Sequence, residues 1–245
     1  MSAPDSRRGP SRRSIVVLSM LGVLVLLGGV AAAFGPAFYR DVIVGEAPSA
    51  PTTGSDPSET DTPASEVEPV EDISGAWQVG AGSYAGYRVD EVLNGTDVTV
   101  VGRTEQVTGE VQVQDLALAD AEIEVDVASI ATDQAPRDAY FRDNALQVTE
   151  HPTATFRLTQ PVSAQAEPDA GDEATIEVTG ELTLHGVTRP VTAEVDAAFD
   201  GGTARVAGSI PITFADFGIE APNLGFVRVE PDGFVEFLLV LEKAP

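Results

Sequence analysis

The sequence predicts an all-β domain of about eight antiparallel strands with one short helix, standing behind a single N-terminal transmembrane helix. Three observations carry that reading. From Ile73 onward apolar residues recur with a period of two rather than 3.6, short Gly-containing connectors separate the runs, and a long uncharged apolar stretch precedes them all.

In chain order, residues 1–13 form a basic cytoplasmic tail carrying Arg7, Arg8, Arg12 and Arg13. Ile15 to Phe34 then runs without a charge, about the length a helix needs to cross roughly 30 Å of hydrocarbon, so residues 14–39 are expected to span a membrane as a signal anchor. No Lys or Arg follows Arg40 until Arg88, so the positive-inside rule places the N-terminus in the cytoplasm and the C-terminal domain outside it. A cleaved signal peptide is the rival reading, with Ala31, Ala32 and Ala33 as its small-residue site, but the apolar run exceeds the usual ~7–15 residues. Ser11-Arg12-Arg13 is only a weak twin-arginine signal. Residues 40–72 are acidic and rich in Pro, Ser and Thr, with few large apolar residues to bury, and read as a disordered linker.

The folded domain is expected over 73–245. Its clearest strand is Thr175–Leu184, where Ile176, Val178, Leu182 and Leu184 share one parity and Glu177, Thr179, Glu181 and Thr183 the other. The runs around Val191–Phe199 and Ala204–Ile212 repeat the pattern. Tyr84–Leu93, Val98–Glu105, Val107–Leu116, Glu122–Ile130 and Ala154–Thr159 precede them, and Phe234–Leu241 closes the chain. Asn94-Gly95, His185-Gly186 and Asp200-Gly201-Gly202 supply hairpin turns that tolerate positive φ. Only Asp133–Gln147 departs from period two: Asp133 as cap, Pro136 in the first turn, and apolar spacing through Tyr140, Phe141 and Ala145 predict one short helix. A meander of this length hides its edges by closing into a barrel or folding into a sandwich. Gly180 and Gly208 fall in the inward rows and would leave room inside, unless they mark bends of the sheet.

Charge narrows the function. The chain has 39 Asp+Glu against 14 Lys+Arg, a formal net charge of -25, which excludes the cationic footprint of a nucleic-acid binder. Zero cysteines exclude disulfides, thiolate nucleophiles and thiolate metal sites. Gly80-Ala81-Gly82-Ser83-Tyr84-Ala85 fits a dinucleotide fingerprint in letters only, since a strand and not a helix follows, and Ser83 fails as a nucleophile elbow for the same reason. His151 and His185 are the only histidines, and nothing in the sequence supplies them with further metal ligands. The plain reading of His185 is a turn residue bonded to backbone, and of Arg137-Asp138 and Arg142-Asp143 a set of ion pairs. Asn94-Gly95-Thr96 fits a glycosylation sequon but coincides with a hairpin tip.

Several stretches together resemble the YceI-like lipid/polyisoprenoid-binding family. Gly180-Glu181-Leu182-Thr183-Leu184-His185-Gly186-Val187-Thr188 is the most specific, supported by Thr132-Asp133 with Arg137-Asp138, by His151-Pro152-Thr153-Ala154-Thr155-Phe156, by Trp77 with Ser83, and by Asp216-Phe217-Gly218. The resemblance implies a closed, lipocalin-like antiparallel β-barrel outside the cytoplasm, holding a long apolar chain, with no cofactor, no metal and no established catalytic mechanism. Residues expected at its interior or mouth are Tyr87, Val100, Arg137, Tyr140, Phe141, Phe156, Val178, Gly180, Leu182, Gly208, Ile210, Phe214, Phe217 and Phe237. Tyr140 and Phe214 stand where members of that family often carry His and Arg, which removes positive charge and favours a neutral lipid or quinone-type chain as much as a pyrophosphate. Two other readings remain: an enzyme on an apolar substrate using His185, Arg137 and Asp138, and a solidly packed envelope interaction module. The sequence leaves the oligomeric state open, a homodimer included.

Overall fold

The computed structural model of the chain describes residues 47–54, 73–163, 173–200 and 202–244. The basic tail, the 14–39 span and most of the linker lie outside them, and among the described residues no helix is long and apolar enough to cross a membrane. Among the described residues the strands are β1 (Gly75–Val79), β2 (Tyr84–Leu93), β3 (Thr96–Thr104), β4 (Val107–Gln114), β5 (Ala117–Asp126), β6 (Thr153–Leu158), β7 (Val162–Ser163), β8 (Glu173–Leu184), β9 (Val187–Phe199), β10 (Thr203–Thr213) and β11 (Val227–Lys243), with one α-helix, α1 (Ala135–Tyr140).

Strand order closes the sheet on itself, because β11 pairs with β10 on one side and with both β2 and β1 on the other. Val227–Leu238 runs against β2 and Leu241–Lys243 against β1, so β1 and β2 lie end to end along one edge of β11. β4 and β3 continue the same two lines, pairing with β1 and β2 respectively. Each of these couples acts as one broken strand, and the barrel is therefore an eight-stranded antiparallel one with β7 as a short addition to β5. At the first break Ser83 is buried. Its hydroxyl accepts from Val240 N at 2.9 Å and lies 3.3 Å from Val240 O, standing in for ladder bonds at the seam.

The hairpin residues behave as period and turn chemistry require. Asn94 and Gly95 (φ 50° and 80°) and His185 and Gly186 (φ 51° and 71°) both place two positive φ values at a two-residue turn. Three expectations need correction. The strand expected through Ile130 stops at Asp126, because the Asp126 carboxylate accepts from Ala128 N at 2.9 Å and bends the chain into a 3-10 turn. The helix is shorter than expected and widens into an i+5 turn over Phe141–Ala145; Gln134 and not Asp133 holds the N-cap position, while Asp133 receives Arg137 Nη1 at 2.8 Å. The last strand begins at Val227 rather than Phe234, since the Glu230-Pro231-Asp232 stretch that reads as a turn is absorbed as a register shift between Val229 and Gly233.

The inward parity of β8, β9, β10 and β11 forms the core, with Val178, Leu182, Leu184, Ala193, Val195, Ile210, Leu239 and Leu241 all buried. Trp77 and Phe199 meet edge to face at 5.9 Å and plug the end away from α1. On the outer wall, residues 47–54 lie against β2 and β3, where Arg88 Nη2 donates to Pro48 O at 2.6 Å and Arg103 Nη2 to Ser49 O at 2.7 Å. Both arginines converge on Glu236, which is 2% exposed: Arg88 Nε lies 2.5 Å and Arg103 Nη2 3.8 Å from its carboxylate.

Candidate functional site

The barrel interior holds two cavities, about 230 Å³ in the deeper half and about 150 Å³ beneath α1. Ala85, Val125, Ala154, Leu182 and Val235 are walls of both, so the two lie end to end and together make an elongated apolar slot of two chambers. Period two produces it directly: β2, β5, β6, β8, β10 and β11 turn one parity inward, and that parity is almost entirely aliphatic or aromatic. In the deeper chamber Thr155 is the sole polar side chain of the wall. Neither chamber alone reaches the roughly 300 Å³ of a typical compact-ligand site, and two chambers in line suit a linear occupant.

The upper chamber is closed by the helical excursion between β5 and β6. Arg137, Tyr140, Phe141, Ala145 and Leu146 face down into it, and Phe141 stacks on Tyr87 of β2 at 4.7 Å between ring centroids. Gly102 makes that stack possible, because a Cβ there would stand 2.5 Å from the Tyr87 ring. Burial pushes the Tyr87 phenol well above its ordinary range, an effect that the Arg137 charge opposes. The mouth holds the only charges of the slot wall: Arg137, Glu91 and Glu220. Glu91 is 5% exposed and accepts from Arg137 Nη2 at 3.3 Å. Arg137 thus serves two carboxylates, Glu91 and Asp133, and offers no surplus positive charge to a ligand.

Of the residues expected at the interior or mouth, Tyr87, Val100, Arg137, Tyr140, Phe141, Leu182 and Phe214 line the upper chamber. Phe156, Val178, Ile210 and Phe237, with Leu182 again, line the deeper one. Phe217 is buried in the core and flanks a shallow outer cleft with Arg189 and Asp216. Gly180 and Gly208 line neither chamber, and the room expected above them is already taken. A Cβ at Gly180 would meet the Phe156 ring at 2.4 Å, and one at Gly208 the Phe237 ring at 2.7 Å. Aromatic rings cover the bare backbone, so these glycines fix where Phe156 and Phe237 lie in the slot.

The histidines are structural in their contacts. His185 Nδ1 lies 3.1 Å from Phe217 O, and Arg189 Nε donates to Asp216 O at 2.9 Å, so β8–β9 turn residues hold the 3-10 turn Phe214–Phe217 in place. His151 meets His185 edge to face at 4.8 Å, a contact that no sequence spacing announced. Asp138 is buried and accepts from Thr132 N at 2.9 Å and Thr132 Oγ1 at 2.7 Å, which leaves its carboxylate tied to its own loop. Among the described residues no group of three or more His, Asp or Glu is placed to hold a metal ion. Sequence reasoning missed Glu91, although a signal existed: it shares the inward parity of Ala85, Tyr87 and Val89.

Residues 77–241 match the family model of the YceI-like domain. Among curated proteins, a UPF0312 protein of Pseudomonas aeruginosa is 35% identical over 127 residues, covering 49% of this chain and 60% of that protein, and one of Vibrio parahaemolyticus is 30% identical over 129 residues, covering 49% and 65%. The chain thus spans about 60% of the length of the first of these relatives. Among solved structures, a polyisoprenoid binding domain from Saccharophagus degradans superposes with a TM-score of 0.58 at 20% identity, covering 69% of this chain and 98% of that one. BcnA of Burkholderia cenocepacia does so with 0.53 at 24% identity, covering 66% and 98%. The family match over most of the chain, on an eight-stranded barrel that these two structures share, places the protein in the YceI-like domain family.

Proposed function

We propose that the protein is a membrane-anchored, extracytoplasmic lipid carrier that holds a long apolar chain, a polyisoprenoid or a similar lipid or quinone, along the barrel interior. The observation that carries this is the two-chambered slot, whose deeper wall offers nothing but hydrocarbon apart from Thr155. Moving a chain from water into such a wall gains roughly 0.8 kcal/mol per CH₂, so a dozen methylenes contribute about 10 kcal/mol toward the cost of association without a single polar contact. The description of the Saccharophagus domain as polyisoprenoid binding points the same way. At the mouth Arg137 is matched by Glu91 and Asp133, with Glu220 beside it, and that balance favours a neutral head over a pyrophosphate. The uncharged run Ile15–Phe34, with its four preceding arginines, supports a signal anchor with the barrel outside the cytoplasm.

A binding role also fits the polar groups that catalysis would need. Arg137 and Asp138 are tied to protein partners, His185 is held through Nδ1 to Phe217 O while its Nε2 is buried without a partner, and none of the three lines the deeper chamber. The test is native mass spectrometry of the chain purified gently from its own host. A mass above that of the bare protein, matched by a prenyl lipid in the extract, is the expected result. Bare protein mass in several preparations, with no gain when prenyl lipids are offered, overturns the reading.

A further inference from the structure

Two of the three large exposed hydrophobic side chains among the described residues sit on one turn beside the slot: Leu224 is 50% and Phe226 58% exposed. The turn is a built one. Leu224 N donates to Val227 O at 2.9 Å, Val229 N to Pro222 O at 3.0 Å, Asn223 bridges Arg228, and Gly225 takes φ 82° at the bend. A hairpin with its backbone satisfied holds Leu224 and Phe226 outward instead of letting them fold back onto the wall. Its stem is the rim of the upper chamber, since Ile219, Pro222 and Val229 line that cavity. The same few residues therefore present hydrocarbon to the inside of the barrel and to the outside.

We propose that this turn is a membrane-docking tip: Leu224 and Phe226 insert into a bilayer and set the mouth of the slot against lipid, so that the ligand crosses between membrane and barrel without passing through water. The inference rests on the carrier reading above and assigns the route by which the carrier loads. A bilayer is the occupant that fits. Two side chains on one turn bury far less than the roughly 1,000 Å² that a specific protein interface requires, whereas shallow insertion of a Leu and an aromatic residue is how monotopic proteins grip a lipid surface. Only twelve residues separate Phe34 from Ala47, at most about 45 Å of extended chain, so a bilayer that holds the Ile15–Phe34 run is within reach of the barrel. The domain's acidity excludes attraction by anionic head groups, which leaves apolar insertion as the means of contact.

The full chain carrying Phe226→Trp is mixed with phosphatidylcholine vesicles whose acyl chains are brominated. Its added fluorescence is expected to be quenched, while the tryptophan of Gln114→Trp, placed on the exposed end of β4 away from the mouth, is not. In a second arm, Leu224→Asp with Phe226→Asp is expected to slow pickup of a prenyl alcohol from donor vesicles at least tenfold, as the loss of two inserted side chains implies, with the amount bound at equilibrium by native mass spectrometry unchanged. Equal quenching at the two positions, or loading at the parental rate in the double variant, overturns the proposal. So does a tip that a second protein covers while no quenching occurs. If no variant takes up lipid at any time, the carrier reading fails and the loading role fails with it, while quenching still decides the docking by itself.

Discussion

Glu91 shows how one residue sets ligand preference. It is a carboxylate on an otherwise apolar parity of β2, and Arg137, from another element, pairs with it at the mouth. Glu91→Gln preserves the side chain's shape and one acceptor for Arg137 while removing a negative charge. Affinity for a prenyl phosphate is expected to rise about tenfold, or ~1.4 kcal/mol, with little change for the prenyl alcohol of equal length. Competition between the two, read by native mass spectrometry, checks this, and an unchanged ratio sinks the charge-balance account of the head group. The strand position of Glu91 was legible, because alternation alone turns it inward. Its pairing with Arg137 was not, since the contact joins residues 46 apart through a loop whose path no local rule specifies. The meeting of His151 and His185 escaped for the same reason.

At the scale of elements, alternation and turn chemistry revealed most of the wall. β2 was foreseen end to end, and β6 and β8 within about two residues at each boundary. What failed were junctions governed by one side-chain bond, as at Asp126, or by a bulge, as at Val229–Gly233. β1 and β7 are too short for a period to declare itself. The glycines were the clearest misreading, since a residue without a side chain suggests space whereas here a neighbour's ring supplies the volume. Gly208→Ala is expected to cost about 1–3 kcal/mol in urea unfolding, because Phe237 must leave its place, and Gly180→Ala at least as much, because Phe156 must move and the Arg157 carbonyl oxygen would stand 2.5 Å from the new Cβ. Gly86→Ala should cost more than either. Its Cβ would stand 1.9 Å from the Gly102 carbonyl oxygen, and backbone cannot swing aside as a ring can. Gly202→Ala, with nothing within 4 Å, is the neutral control. Equal stability across all four variants contradicts this account of close packing.

Across the whole molecule, the wall is closed from inside and belted from outside. The outward parity of β11 includes Glu236, which is buried because residues 47–54 and the arginines of β2 and β3 cover it. A carboxylate so placed depends on its cations. Arg88→Met is expected to destabilise the full chain by about 3 kcal/mol, with Arg103 compensating in part, and Arg88→Met with Glu236→Leu to recover most of that loss. Chemical denaturation of the two variants and the parent measures it; a double variant no more stable than Arg88→Met shows that the charge pair is not the cause. The strand carrying Glu236 has a further consequence. Among the described residues β11 is the last strand, and it partners β10, β2 and β1, so until Lys243 is available the first and last walls have nothing to join them. The fold is consequently completed by its farthest-separated contacts, a slow order of assembly in which closure waits on β11. A polypeptide that stays open until then is still a thread, and becomes a container only when β11 has joined both walls.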